Sequence, residues 1–451
     1  MTTYDLLISG GEVVLEEVLP RDLLVKDGKV ARICRPEESV TYQVKETLDA
    51  SGKLIFPGAI DSHVHFNDPG FEWREDFLHG TKAAAKGGIT TVIDMPLQNT
   101  PALATAELFA MKAQKIAGSA YTDYGFWGAL LSDNREALPA LHQAGVFAFK
   151  SFIAPVGDDY DSLSYGEVRD RLLLLKEFDA LSGYHCEDYS LISCLEQAHL
   201  ASGAVARADY LASRPVTAEA IAVDAVIRLA EETGTRVHIV HVSHPDVAEI
   251  IKQAKARGVR VTAETCVHYL VFSNEDLIAQ GPLFKCAPPL RDKAAAEKLW
   301  SYLLDGTLDL IVSDHSPSQM AEKAEDQSRG IFAPWGGISG VQSTVQVMFS
   351  EWQKRKLPWP QLAALLAANA AEIFQIPGKG KIAVGNDADF VLIDPQAEWQ
   401  ITAEELAYKN KISAFVGYQG TGLPTQTILR GQVVYDNHFP AAASGQLLQY
   451  R

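Results

Sequence analysis

Phe56-Pro-Gly-Ala-Ile-Asp-Ser-His63-Val-His65 begins as an apolar run and ends in two histidines two residues apart. The apolar stretch over 54–60 suits a fully buried strand. In an extended chain, residues i and i+2 project to the same side. Both imidazoles can therefore face one point beyond the strand's end, which is half of a metal site. His-x-His alone is a weak signal, because polar residues commonly follow a strand. It sharpens because other ionisable residues close other strand-like runs downstream.

Those runs lie at 54–60, 90–95, 124–130, 146–152, 182–186, 236–242, 259–265 and 308–312. Helical periodicity separates most of them, at 81–86, 105–117, 165–178, 217–232, 245–257 and 293–304. Eight β/α alternations predict an α/β chain folded as a (β/α)8 TIM-like barrel, with its active site at the C-terminal ends of the strands. The span 54–376 exceeds the typical ~250 residues and fits a barrel with loop insertions. Outside it, residues 1–53 read as short strands at 4–8, 12–15, 22–25 and 29–33, with Gly10-Gly11 and Asp27-Gly28 as turns. Residues 377–451 add strands at 388–393, 425–429 and 432–435. Neither end has enough strands for a core of its own. The expected organisation is one small β-sandwich built from 1–53 and 377–451, with the barrel, 54–376, inserted between them.

Composition bounds the function. The chain has 451 residues, 47% hydrophobic and 22% charged, so it can bury a large core. Its net charge of −17 argues against nucleic-acid and anionic-membrane partners. Five cysteines without close pairing read as free thiols in a reducing compartment. With no signal peptide or long apolar run to be read, the cytoplasm is the expected location.

Placed on the barrel, the polar residues converge. His63 and His65 follow the first strand, Lys150 lies in the fourth, His185 ends the fifth, His241 ends the sixth and Asp314 ends the eighth. Singly, each has a bland reading: a hydrogen-bonded loop histidine, an ion-paired lysine, an aspartate cap. All five strand ends would have to be bland independently. Four histidines and a carboxylate suit two divalent metals such as Zn²⁺. Lys150 is the odd member, because an ammonium has no lone pair. Burial and adjacent cations lower a lysine's pKa. The neutral amine can then add CO2 to become a carbamate whose two oxygens can bridge metals.

The chain resembles the cyclic amidohydrolases, which include dihydroorotases, hydantoinases/dihydropyrimidinases and allantoinases. The resemblance rests on the Phe56–His65 stretch, Ala83-Ala-Ala-Lys-Gly-Gly-Ile-Thr-Thr91, Lys285-Cys-Ala-Pro-Pro-Leu-Arg291, Ser313-Asp-His-Ser-Pro317 and Gly380-Lys-Ile-Ala-Val-Gly-Asn-Asp-Ala-Asp389. It implies a binuclear metal centre (Zn, with Co or Mn as options) bridged by a carboxylated Lys150. The implied ligands are His63, His65, Lys150, His185, His241 and Asp314. It further implies a metal-bridging hydroxide as nucleophile, Asp314 as general acid/base, and a homotetramer. Dihydroorotases carry an Arg where this chain has Asn67, and hydantoinases carry a Tyr where it has Pro155. Asp94-Met-Pro-Leu97, Ser313-Asp-His-Ser-Pro317 and Trp335-Gly-Gly-Ile-Ser-Gly-Val-Gln342 instead resemble the allantoinase branch. The implied reaction is hydrolysis of allantoin to allantoate. The alternatives are another cyclic-amide hydrolase or a non-catalytic relative. Implied substrate contacts are Cys286, Ser316 and Gly337.

Four further readings complete the pattern. His238 is out of i, i+2 phase with His241 and is expected to face the helices. Cys186, beside a ligand, is expected in the core, and His268 is expected to lack a direct role. The polar segment 318–330, with little to bury, is expected to be a mobile cover over the barrel mouth.

Overall fold

The computed structural model of the chain describes residues 3–156 and 160–450. Eight parallel strands follow one another around a single sheet: Ala59–Val64, Ile89–Asp94, Asp123–Ala129, Ala148–Phe152, Ser182–His185, Val237–Ile239, Val261–Cys266 and Leu310–Val312. A parallel bridge between Val64 and His315 brings the last strand back to the first, and the His65 N–H donates to the His315 carbonyl at 2.8 Å. The fold is a TIM-like barrel. Every residue of the first five strands is buried, as expected where side chains fill one face and helices cover the other. Several connecting helices start on side-chain caps. Asp76 accepts the His79 N–H ahead of Phe77–Lys86, and Asp188 accepts the Leu191 N–H ahead of Tyr189–Ser202.

The strand expected over 54–60 is two strands. Leu54–Pro57 pairs antiparallel with Phe390–Gln400 and parallel with Glu12–Val14, and the barrel begins at Ala59. Gly58 is the joint. Its N–H donates to the Asp389 carbonyl at 2.9 Å, and a Cβ there would meet the Thr90 side chain at 2.3 Å. Both halves are apolar and buried, so a hydrophobic pattern alone reads them as one.

The chain ends meet as expected. One sheet of six strands runs in the order Gln432–Tyr435, Gln419–Leu429, Phe390–Gln400, Leu54–Pro57, Glu12–Val14 and Val18–Pro20. A second, of four, runs Lys29–Cys34, Asp22–Lys26, Thr3–Ser9 and Gln43–Asp49. Ile8, Leu23, Val25, Ile55, Phe390 and Ile428 share one core, so apolar residues from both ends bury each other. Gln43–Asp49 was not expected. It is an edge strand with mostly exposed side chains, and it lacks the alternation that marks a half-buried strand. At the N-terminal end of the third barrel strand, the buried Lys379 ammonium lies 2.7 Å from Asp123, 3.0 Å from Asp387 and 2.6 Å from Asp389. It ties the barrel to the C-terminal segment. No helix among the described residues is long and apolar enough to cross a membrane.

Candidate active site

The six residues singled out in the sequence lie at one end of the barrel and line one cavity of about 610 Å³. His63 Nε2 and His65 Nε2 approach the same oxygen, Asp314 Oδ1, at 3.2 and 3.3 Å. The ring centroids of His63 and His241 are 5.6 Å apart, and those of His185 and His241 are 4.5 Å apart. His241 and Asp314 have positive φ, 40° and 45°. Side chains rarely tolerate that conformation, so the chain holds strain at two site residues.

The outer hydrogen bonds fix which nitrogen faces inward. His65 Nδ1 contacts the Leu97 carbonyl, which can only accept, so Nδ1 carries the proton and Nε2 keeps its lone pair. His63 Nδ1 is bonded to the Glu264 carboxylate, while its Nε2 is buried without a hydrogen-bond partner. His185 Nε2 is bonded to Glu187 at 2.8 Å, which leaves Nδ1 for the cavity. Burial depresses the pKa of His63, His185 and His241, favouring the neutral form that ligates metal. Burial opposes charge on Asp314 too, but the surrounding histidines, His63 first among them, hold the carboxyl well below its usual range. Burial also brings the Lys150 ammonium down to about 8. The donor set therefore fits divalent cations, and outward-facing carboxylates and carbonyls orient it as metal-binding histidines are oriented.

The supporting layer contains residues that sequence reasoning missed. Glu264, in the seventh strand, bonds His63 Nδ1 through one oxygen and His238 Nε2 at 3.0 Å through the other. Neighbouring imidazoles overcome its burial and hold its pKa at about 2. Arg214 pairs with Glu187, which holds His185. Glu264 was detectable as an acid in the middle of a barrel strand, whereas the Arg214–Glu187 contact joins separate loops. His238 corrects an expectation. It lies inside the barrel with Trp127 and Glu264 rather than facing the helices. The strand ends at Ile239 and His241 turns to positive φ, so the i, i+2 alternation does not extend to 241. His268 is buried within 4.8 Å of ligand atoms of Cys266 and Asp314, closer to the site than its reading implied. Cys186 is buried, as read.

Cys286, Ser316 and Gly337 all line the cavity. The Cys286 carbonyl accepts from Tyr210 Oη at 2.8 Å, and Gly337 sits so close to Ser316 that a Cβ would meet its Oγ at 2.4 Å. Pro155 also lines the cavity, as does Tyr160, whose hydroxyl donates to the Lys150 carbonyl at 2.7 Å. The segment 318–330 has more to bury than its composition implied. Met320–Lys323 is a 3-10 turn, Lys323 is buried, Glu322 pairs with Arg74, and Glu325 pairs with Arg207.

The sequence of residues 54–434 matches the model of the amidohydrolase family. An allantoinase of Escherichia coli O1:K1 is 39% identical over 99% of both chains, and that of the K12 / DH10B strain is equally similar. Among solved structures, the L-hydantoinase (dihydropyrimidinase) of Arthrobacter aurescens superposes with a TM-score of 0.95 at 30% identity, covering 99% of this chain and 100% of that one. The dihydropyrimidinase of Brevibacillus agri NCHU1002 does so with a TM-score of 0.90 at 30% identity over 98% of each. With the histidine–aspartate cluster at the barrel mouth, these likenesses lead to one conclusion: the chain belongs to the amidohydrolase family and is a hydrolase of cyclic amides.

Proposed function

We propose that the substrate is allantoin, hydrolysed at its hydantoin-ring amide to allantoate. The observation that carries the chemistry is the approach of His63 and His65 to one oxygen of Asp314, at the mouth where Lys150, His185 and His241 also open. The choice of substrate rests on the 39% identity to allantoinases across the whole chain.

In this reading His63, His65, Lys150, His185, His241 and Asp314 hold two divalent ions, Zn²⁺ being the natural choice for such donors. The Lys150 amine reacts with CO2 to supply a carboxylate in place of its ammonium. When bound, the ions activate a water and polarise the scissile carbonyl. Asp314 takes the water's proton and returns it to the ring nitrogen as the C–N bond breaks, leaving a carboxylate on the former carbonyl carbon. Backbone at Cys286 and Gly337 and the Ser316 hydroxyl hold the ring and its ureido group. The division into 1–53, 54–376 and 377–451, with the strand Leu54–Pro57 passing to the β-sandwich, a homotetramer and a cytoplasmic setting complete the proposal.

A hydantoinase or dihydropyrimidinase activity is the second reading, favoured by the TM-score of 0.95 to a solved hydantoinase. Pro155 stands against it, since no phenol occupies that position. Asn67, buried with an unpartnered side-chain oxygen, likewise gives a dihydroorotate carboxylate no cation. Turnover of allantoin, dihydroorotate, dihydrouracil and hydantoin by the purified protein separates these readings. Allantoin should be preferred. Turnover of hydantoin or dihydrouracil with none of allantoin would establish the second reading in its place.

A further inference from the structure

Two buried lysines outside the metal cluster turn their ammonium groups onto a single loop. Lys285 Nζ donates to the Pro334 carbonyl at 2.6 Å and to that of Phe332 at 3.4 Å. Lys323 Nζ donates to the carbonyls of Trp335 at 3.0 Å and Gly337 at 2.6 Å. Neither forms a salt bridge among the described residues, although they are 5% and 7% exposed. A buried cation without a carboxylate is a rare arrangement and an expensive one. Here four carbonyls from six residues satisfy two such cations.

The same loop is gripped elsewhere. The Trp335 N–H donates to the Glu322 carbonyl at 2.8 Å, the Arg74 guanidinium lies 4.3 Å from the Trp335 ring centroid, and Gly337 is pressed against Ser316. Trp335, Gly336, Gly337 and Ser316 line the cavity. We propose that Lys285 and Lys323 are positioning residues that lock residues 332–337 in the conformation that receives the substrate. The inference rests on the cavity being the substrate site, as proposed above.

Both ammonium groups are held under tension. Burial, then Arg214, Lys323 and Arg329, bring Lys285 down to about 7 against the opposing charge of Glu196. Burial brings Lys323 to about 7 as well, with Arg74 assisting and Cys286 and Glu322 opposing. The sign follows. Below about 7 both are cations and make charge-assisted hydrogen bonds, and as pH rises through that value the bonds weaken to neutral ones. The lock is tight in mild acid and loosens in mild alkali.

Hydrogen exchange of residues 332–338 in the metal-loaded protein tests this without any substrate. Wild type should exchange faster at pH 8.5 than at pH 6 after correction for intrinsic rates, and the double variant Lys285→Arg/Lys323→Arg, which stays charged at both positions, should lose that dependence. Lys323→Met and Lys285→Met should each speed exchange about tenfold, and raise KM for allantoin about tenfold with kcat within ~threefold of wild type. Unchanged exchange and KM in both Met variants would overturn the assignment. If those variants do not fold, equal corrected exchange of wild type at the two pH values overturns it instead. Failure of wild type to turn over allantoin would sink the proposed substrate and leave the exchange result standing.

Discussion

Lys150, inside the fourth barrel strand, and Lys379, packed against the start of the third, are both buried lysines, yet their surroundings are opposite. Lys379 lies within 3.0 Å of three aspartates, and their charges outweigh its burial and raise its pKa. Lys150 has no salt-bridge partner among the described residues, rests 4.3 Å from the Phe152 ring centroid, and is brought down to about 8 by burial. Asp123, Asp387 and Asp389 also bring oxygens within 4.8 Å of one another, as a metal site would, but the Lys379 ammonium already fills that space. A buried cation given carboxylates is a structural tie. One denied them keeps reactive capacity, because its neutral form is within reach.

The sharpest way to break this contrast is to remove Lys150. Lys150→Ala should reduce metal content from about two ions per chain and bring turnover to the uncatalysed background. Short carboxylic acids should restore part of the activity by replacing the missing carboxylate. Metal analysis with a turnover assay checks both, and full loading and activity in the variant would contradict the bridging role. The next effect is at Asp314. Asp314→Asn keeps an oxygen for metal but cannot carry a proton, so kcat should fall about 10²–10⁴-fold while much of the metal stays. A loss below about tenfold with the fold intact would remove Asp314 from the proton transfer.

Lys379 sharpens the comparison from the other side. Lys379→Met leaves Asp123, Asp387 and Asp389 facing one another, with Arg430 still paired to Asp123 and Lys29 to Asp387. Breaking a buried ion cluster in this way costs about 3–5 kcal/mol, so unfolding by denaturant should shift by that amount while metal content and kcat hold. Metal loss with unchanged stability would mean that the two lysines are not the opposites described.

What could be read in the sequence followed from period and from chemistry that repeats. The barrel was legible because eight apolar runs recur, and the meeting of His63, His65, Lys150, His185, His241 and Asp314 at one cavity was legible because each lies in or just after such a run. His238 was misread for a local reason: alternation presumes an extended chain, and the left-handed turn at His241 resets it. The strand at 54–60 was misread because burial is uniform across Gly58. The grip of Lys285 and Lys323 on residues 332–337 was not legible. It joins side chains to carbonyl groups, which every residue carries and no sequence distinguishes.

The smallest expected effect concerns Glu264, which belongs to neither kind of lysine site yet serves the first. Its two oxygens hold His63 and His238, so it fixes the His63 ring from behind. Glu264→Gln preserves shape and one acceptor but removes the charge that favours proton placement on Nδ1. Outer carboxylates of this sort are worth about 10–100-fold in metal affinity. The neighbouring imidazoles hold the Glu264 carboxyl at about 2, so it is ionised throughout the neutral range. The ratio of wild-type to variant affinity should therefore be the same at pH 6 and pH 9, even as both affinities change with histidine protonation. Competitive chelator titration at the two pH values measures that ratio. A ratio near one at both would make Glu264 a packing residue, and a ratio that grows with pH would mean that its carboxyl is protonated in the folded protein.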